Sequence, residues 1–141
     1  MKKTAVIYWS GTGNTEAMAK AVLEGMKEAG AEAVLLTPAE AKNFDIGSMD
    51  AVAFGCPAMG AEELEDTEFA PMFDACKGKI QSKKIALFGS YGWGDGEWMR
   101  TWENDCETNG MELAHKSVTC CETPNEAALY ACRELGKAIA E

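Results

Sequence analysis

Short apolar runs alternate with amphipathic stretches from one end of this chain to the other, and that alternation restricts its folding more than any other feature. A continuous apolar run has no face to leave in water, so it fits a strand covered on both sides. Runs at Thr4–Trp9, Ala33–Thr37, Ala51–Cys56 and Lys84–Gly89, with a longer and less regular one at Met111–Cys121, are the expected strands. Between the first two, Met18, Ala21, Val22, Gly25, Met26 and Ala29 recur at helical spacing. Glu16, Lys20, Glu24, Lys27 and Glu28 fall mainly on the opposite face, and Gly30 follows as a C-cap. Near the end, Thr123 as N-cap, Pro124 as first residue and Glu126 as capping-box partner predict a final helix. Its expected inner stripe is Ala127, Ala128, Ala131, Leu135, Ala138 and Ile139. Weaker helical patterns cover Glu68–Lys77 and Glu97–Asn109, with a short one at Ala39–Phe44. Strands alternating with helices predict a doubly wound α/β protein on a parallel sheet. The 141 residues carry no repeat, low-complexity tract or linker, so one domain over residues 1–141 is expected.

Composition then removes several classes of function. The net charge is −10, which disfavours nucleic acid and anionic membrane surfaces and favours partner proteins with basic docking faces. No apolar run approaches the roughly 20 residues of a membrane span. The apolar start ends at Ser10-Gly11-Thr12-Gly13-Asn14, too soon for a secretory signal, so a cytoplasmic protein is expected. Six cysteines include no Cys-x-x-Cys pair and His115 is the only histidine, so no metal site is expected. Cys120 and Cys121 are adjacent on a strand and point to opposite faces, which suits structural thiols better than a redox pair.

Three loops stand out at strand ends: Ser10–Thr15, Pro57–Asp66 and Ser90–Gly96. In an open α/β sheet, ligands bind at the carboxyl ends of strands where the winding reverses. Ser10-Gly11-Thr12-Gly13-Asn14-Thr15 opens a helix, so its amides, three hydroxyls and one carboxamide can converge on an anion. The bland alternative is an ordinary strand-to-helix turn. No Lys or Arg lies between Lys3 and Lys20, which excludes a Walker loop, and the dinucleotide spacing fails after Gly13. A single terminal phosphate held by neutral donors is the remaining fit. In the other loops, Trp93 stands between Gly92 and Gly94 with little to pack behind it, and Met59 lies beside Gly60. A planar ring held between the two explains the placement; ordinary loop anchors are the alternative.

Together, Trp9-Ser10-Gly11-Thr12-Gly13-Asn14-Thr15-Glu16, Cys56-Pro57-Ala58-Met59-Gly60 with Glu62, and Gly89-Ser90-Tyr91-Gly92-Trp93-Gly94 resemble the short-chain flavodoxins of clostridial type over essentially the whole chain. That resemblance implies a three-layer, five-stranded parallel sheet in the order 2-1-3-4-5 with FMN at the switch point. It implies that Ser10 through Thr15 cradle the FMN phosphate and that Met59 and Trp93 sandwich the ring. The Gly60 carbonyl turns to accept from N5–H on one-electron reduction, and Glu62 takes the N3 edge. Pro57, Ala58 and Ala61 complete the second loop, Ala61 standing where several relatives carry a polar residue. Ser90 faces the ribityl or phosphate side, with Tyr91, Gly92, Trp93 and Gly94 around the pyrimidine end.

The function so implied is a low-potential one-electron carrier that binds FMN without a covalent bond, works as a monomer and has no substrate or catalytic residue of its own. The alternative is an FMN-dependent NAD(P)H reductase of quinones or azo compounds on the same fold. A phospho-receiver domain fails, because the first and third strands end in Tyr8-Trp9 and Gly55-Cys56 rather than in acidic residues. The run Glu62–Glu68 is either a solvated face or the rim on which basic partners dock. Trp98 and Trp102, four apart, are expected in the core.

Overall fold

Every strand of the sheet runs parallel to its neighbours, in the order β2-β1-β3-β4-β5, in a computed structural model that describes residues 1–60 and 62–141. The strands are β1 (Lys3–Tyr8), β2 (Glu32–Leu36), β3 (Ala51–Gly55), β4 (Lys84–Tyr91) and β5 (Val118–Cys121). The helices are α1 (Asn14–Glu28), α2 (Pro38–Ala41), α3 (Phe69–Cys76), α4 (Glu97–Thr108) and α5 (Glu126–Ala140). The expected architecture and strand order are those observed.

Alternation along each strand divides the core into two layers. Ala5, Ile7, Val52, Phe54, Ile85 and Leu87 face α3 and α4 together with buried Phe69, Phe73, Trp98 and Trp102. Val6, Ala51, Ala53, Ala86 and Phe88 face α1 and α5. The alanines on this second face keep the sheet surface low, and the two helices lie on it in backbone contact. A Cβ built on Gly25 would fall 2.0 Å from the Arg133 carbonyl oxygen, and one on Gly136 2.1 Å from that of Val22. Val22, Met26, Leu135 and Ile139 are fully buried at this crossing, worth about 1.5–3 kcal/mol each.

Three sequence expectations change. The run Met111–Cys121 is not one strand: it touches β4 at an isolated Leu113–Ile85 bridge, and continuous pairing begins only at Val118. Between them the chain is polar, and Ser117 turns its hydroxyl to Glu103 at 2.6 Å. The cap of α5 is Asn125 rather than Thr123, because Asn125 is extended and its side chain accepts from the Ala128 N–H. The buried stripe of α5 is accordingly Cys132, Leu135, Gly136, Ile139 and Ala140, with Ala127 exposed. The short second helix is α2, closed by a capping box between Thr37 and Glu40.

The winding reverses between β1 and β3. The loop after β1 leads to α1 on one face, and the loop after β3 leads to α3 on the other. The two loops diverge there and leave a cleft. Trp9 N–H bonds to the Gly55 carbonyl, Cys56 N–H to Phe88 and Ala58 N–H to Ser90, which stitches the three loop bases together.

Candidate functional site

The loop after β1 folds back on itself through one side chain. Ser10 Oγ accepts from the backbone N–H groups of Gly13 at 3.0 Å and Glu16 at 3.2 Å. Gly13 closes the turn at φ +97°, a left-handed conformation that a Cβ would strain. With Ser10 so engaged, the N–H groups of Gly11, Thr12, Asn14 and Thr15 have no acceptor among the described residues. These four donors stand at the N-terminus of a fifteen-residue helix, where the backbone dipole adds positive potential. Thr15 is buried, and its hydroxyl lies 2.8 Å from that of Ser90.

The loop opens into a cleft of about 330 Å³. Ser10, Gly11, Thr12, Asn14 and Thr15 form one end; Pro57, Ala58 and Met59 form one wall, and Ser90, Tyr91 and Gly92 the other. No Lys or Arg lines it. An apolar slot ending in uncharged amide donors fits a flat organic group that carries one terminal phosphate. Gly13 shapes the loop without lining the cleft. Gly60, Glu62, Trp93 and Gly94 also lie outside its lining, on the rim, and Ala61 lies outside the described residues.

The rim has its own construction. Met59 and Glu63 exchange both backbone hydrogen bonds, at 2.8 and 3.0 Å, and so pin the tip of this loop at its base. Gly60 is at φ +46° and Glu62 at φ +57° in that tip. Met59 in the cleft wall is 37% exposed, and Trp93, next to the lining residue Gly92, is 64% exposed. Glu62 holds Oε1 out of solvent without a donor. Burial, followed by the charges of Glu97 and Asp95, pushes its carboxyl above the ordinary range. Beneath the loop, burial pushes the Cys56 thiol up to about 12, so it stays a neutral hydrophobe.

Two residues of this site escaped the sequence reading as site residues. Trp9 lines the cleft with its ring against Gly11, where a Cβ would fall 3.1 Å from the indole. Glu122 lines it from the end of β5 at φ +60°, held by its N–H on the Tyr91 carbonyl. The available signal was positional: each directly follows a strand at its carboxyl end. The acidic run also needs correcting, because Glu65 is 5% exposed and points inward. It accepts from the N–H groups of Thr67, Glu68 and Phe69 and from the Thr67 hydroxyl, capping the entry to α3. Burial raises its carboxyl, but these bonds outweigh burial and hold it below the ordinary carboxylate range. Trp98 and Trp102 are core residues as expected, 1% and 2% exposed.

Fold and cleft together define a flavin-mononucleotide-binding protein of the flavodoxin type. The chain belongs to the flavodoxin family, whose sequence profile matches residues 6–136. It is 43% identical to the flavodoxin of Megasphaera elsdenii over 136 residues, spanning 96% of this chain and 97% of that protein. It is 41% identical to the flavodoxin of Clostridium beijerinckii over 135 residues, with coverage of 96% and 97%. The solution structure of two-electron reduced Megasphaera elsdenii flavodoxin superposes with a TM-score of 0.85 at 42% identity, covering 97% and 98% of the two chains. The protein is therefore an FMN-binding electron carrier without a substrate of its own, and the reductase alternative is set aside. No helix among the described residues is long and apolar enough to cross a membrane.

Proposed function

We propose that residues 1–141 act as one domain that holds FMN with its phosphate on the Ser10–Thr15 loop and its ring between Met59 and Trp93. The observation that carries this assignment is the set of unclaimed amides at the closed end of a cation-free cleft. Bound FMN supplies stepwise one-electron chemistry. The chain orients it: Thr12 and Asn14 add side-chain donors to the amides, while Thr15 and Ser90 fix one loop against the next. Pro57, Ala58, Tyr91 and Gly92 would exclude water from the ring, and Glu122 lines the same cleft from the end of β5. Glu62 accepts from the N3 edge near Gly94. The Met59–Glu63 pair pins the base of the tip that carries Gly60. Reconstitution of the flavin-free chain tests the assignment. FMN should be taken up with its fluorescence quenched, NADPH alone should leave the yellow band intact, and reduction should proceed in two one-electron steps.

Partners of basic character are read to dock beside the rim, on a groove of about 390 Å³ between α3 and α4. Leu64, Trp98 and Trp102 form its floor, and Glu63, Asp66, Asp74 and Asp105 edge it. Lys77 already bridges Asp74 and Asp105 at 2.9 Å each, so the unpaired negative charge is concentrated toward the flavin end. A monomer suits this arrangement, since the ring edge must stay open to a partner. A cytoplasmic setting suits six cysteines that are all free thiols.

A further inference from the structure

At one corner of the rim, Glu62, Asp95 and Glu97 each bring a carboxylate oxygen to within 4.8 Å of the others. Asp95 belongs to the loop after β4, and Glu97 opens α4. Arg100, one turn along α4, is committed to Asp95, with Nη2 at 2.9 Å from Oδ1 and Nη1 at 3.1 Å from the carbonyl oxygen. Glu63 and Asp66 continue the acidic loop outward, exposed to solvent. Glu62 is packed against the Gly94 backbone so closely that a Cβ there would fall 2.2 Å from Oε1. That oxygen is sealed from water and meets no donor among the described residues. A carboxylate with one oxygen sealed and two further carboxylates close by is stabilised most simply by a proton held between two of them. Of the two neighbours, Asp95 already accepts from Arg100, which leaves Glu97 as the partner for Glu62.

We infer that Glu62 and Glu97 share one proton in the flavin-free chain, and that the arriving N3–H of the flavin replaces it as donor and expels it to solvent. This inference rests on the assignment of Glu62 to the N3 edge. The exchange balances without redox chemistry: the flavin keeps its N3–H bond, the Glu62 carboxylate gains that donor, and one proton leaves. Glu97 is thus a positioning residue that couples flavin affinity to pH. Affinity should rise as pH increases through the titration of the pair, by at most about tenfold per pH unit, and level off above it. Arg100 opposes the two acidic neighbours.

The test uses riboflavin, because the phosphate of FMN itself ionises near about pH 6 and would obscure the count. Calorimetry of riboflavin binding in two buffers of different ionisation heat, at about pH 5 and about pH 8, brackets a raised carboxyl. Protons should leave on flavin binding at the lower pH and none at the higher. Glu97→Gln should abolish the release, since its carboxamide can donate to Glu62 in the proton's place. In parallel, carboxyl-carbon NMR of the flavin-free chain should show Glu62 titrating late, and earlier in Glu97→Gln. Wild-type binding without proton release at about pH 5 overturns the inference. So does a release that survives Glu97→Gln, or an ordinary Glu62 titration in the NMR experiment. Failure of both FMN and riboflavin to bind would instead overturn the site assignment, leaving the NMR result to decide the shared proton.

Discussion

The hydroxyl of Thr15 lies 2.8 Å from that of Ser90, a buried hydrogen bond between the first turn of α1 and the end of β4. It joins the amide-lined end of the cleft to the loop that carries Trp93. Two loops 75 positions apart therefore hold one geometry, and damage to one is felt at the other.

The bond separates two kinds of threonine in the same loop. Thr12→Val removes a donor from the cleft and should weaken FMN by about 1–2 kcal/mol while sparing riboflavin and the stability of the flavin-free chain. Thr15→Val strands the Ser90 hydroxyl as well and should also lower the flavin-free stability by about 1 kcal/mol. Fluorescence titration with both flavins, beside urea unfolding, checks the split. Equal losses for FMN and riboflavin in Thr12→Val would refute its phosphate role.

Gly60 has open space where a Cβ would go, so its constraint is conformational rather than steric crowding by neighbours. At φ +46°, Gly60→Val should cost about 1–2 kcal/mol, and Gly60→Asn clearly less, because Asn tolerates the left-handed region. A redox titration should show the yield of half-reduced flavin falling in the order Gly, Asn, Val. An unchanged yield in Gly60→Val would remove Gly60 from the redox response.

Glu65 governs acid stability. Its carboxyl is held below the ordinary range, so its stabilisation is complete above the unfolded-state value of about 4.3 and disappears as pH falls through the lower folded value. Glu65→Gln should destabilise the chain by about 1–3 kcal/mol near neutral pH, and the gap to wild type should close in acid. Denaturation midpoints measured from neutral pH downward decide this. A gap that stays constant into acid would mean that the charge is irrelevant and only the shape of the cap matters.

Glu63 and Asp66 are exposed neighbours that, unlike Glu65, can be neutralised without unfolding a cap. Glu63→Gln with Asp66→Asn should slow electron transfer to a basic partner at low ionic strength. The difference should fade near 1 M salt, where screening acts within about 3 Å. A small rise in the potential of full reduction should accompany it, because the reduced ring carries negative charge. Transfer rates insensitive to the double substitution at low salt would leave these carboxylates as a solvated face.

The alternation of apolar and amphipathic runs determined the α/β sandwich, because periods of two and of three to four are local and each apolar face must be buried. The amide-rich loop after β1 was legible for a similar reason: Ser10 through Thr15 are contiguous, and a helix N-terminus needs no distant partner to offer amides. Trp93 was legible because its own glycine neighbours leave it unsupported. Tertiary structure alone decided the rest. Glu65 and Glu63 are both acidic residues of one run, yet only the turn into α3 sends Glu65 inward to its four donors. Glu122 reaches the cleft because β5 pairs with β4 at Tyr91–Cys121, a register that no local pattern specifies. Asn125 displaced Thr123 as cap because several side chains suit that position, and the path of the chain from β5 selects one. Glu62, Asp95 and Glu97 form a cluster only because the loops after β3 and β4 meet at a single corner, and electrostatic coupling follows distance in space rather than in sequence.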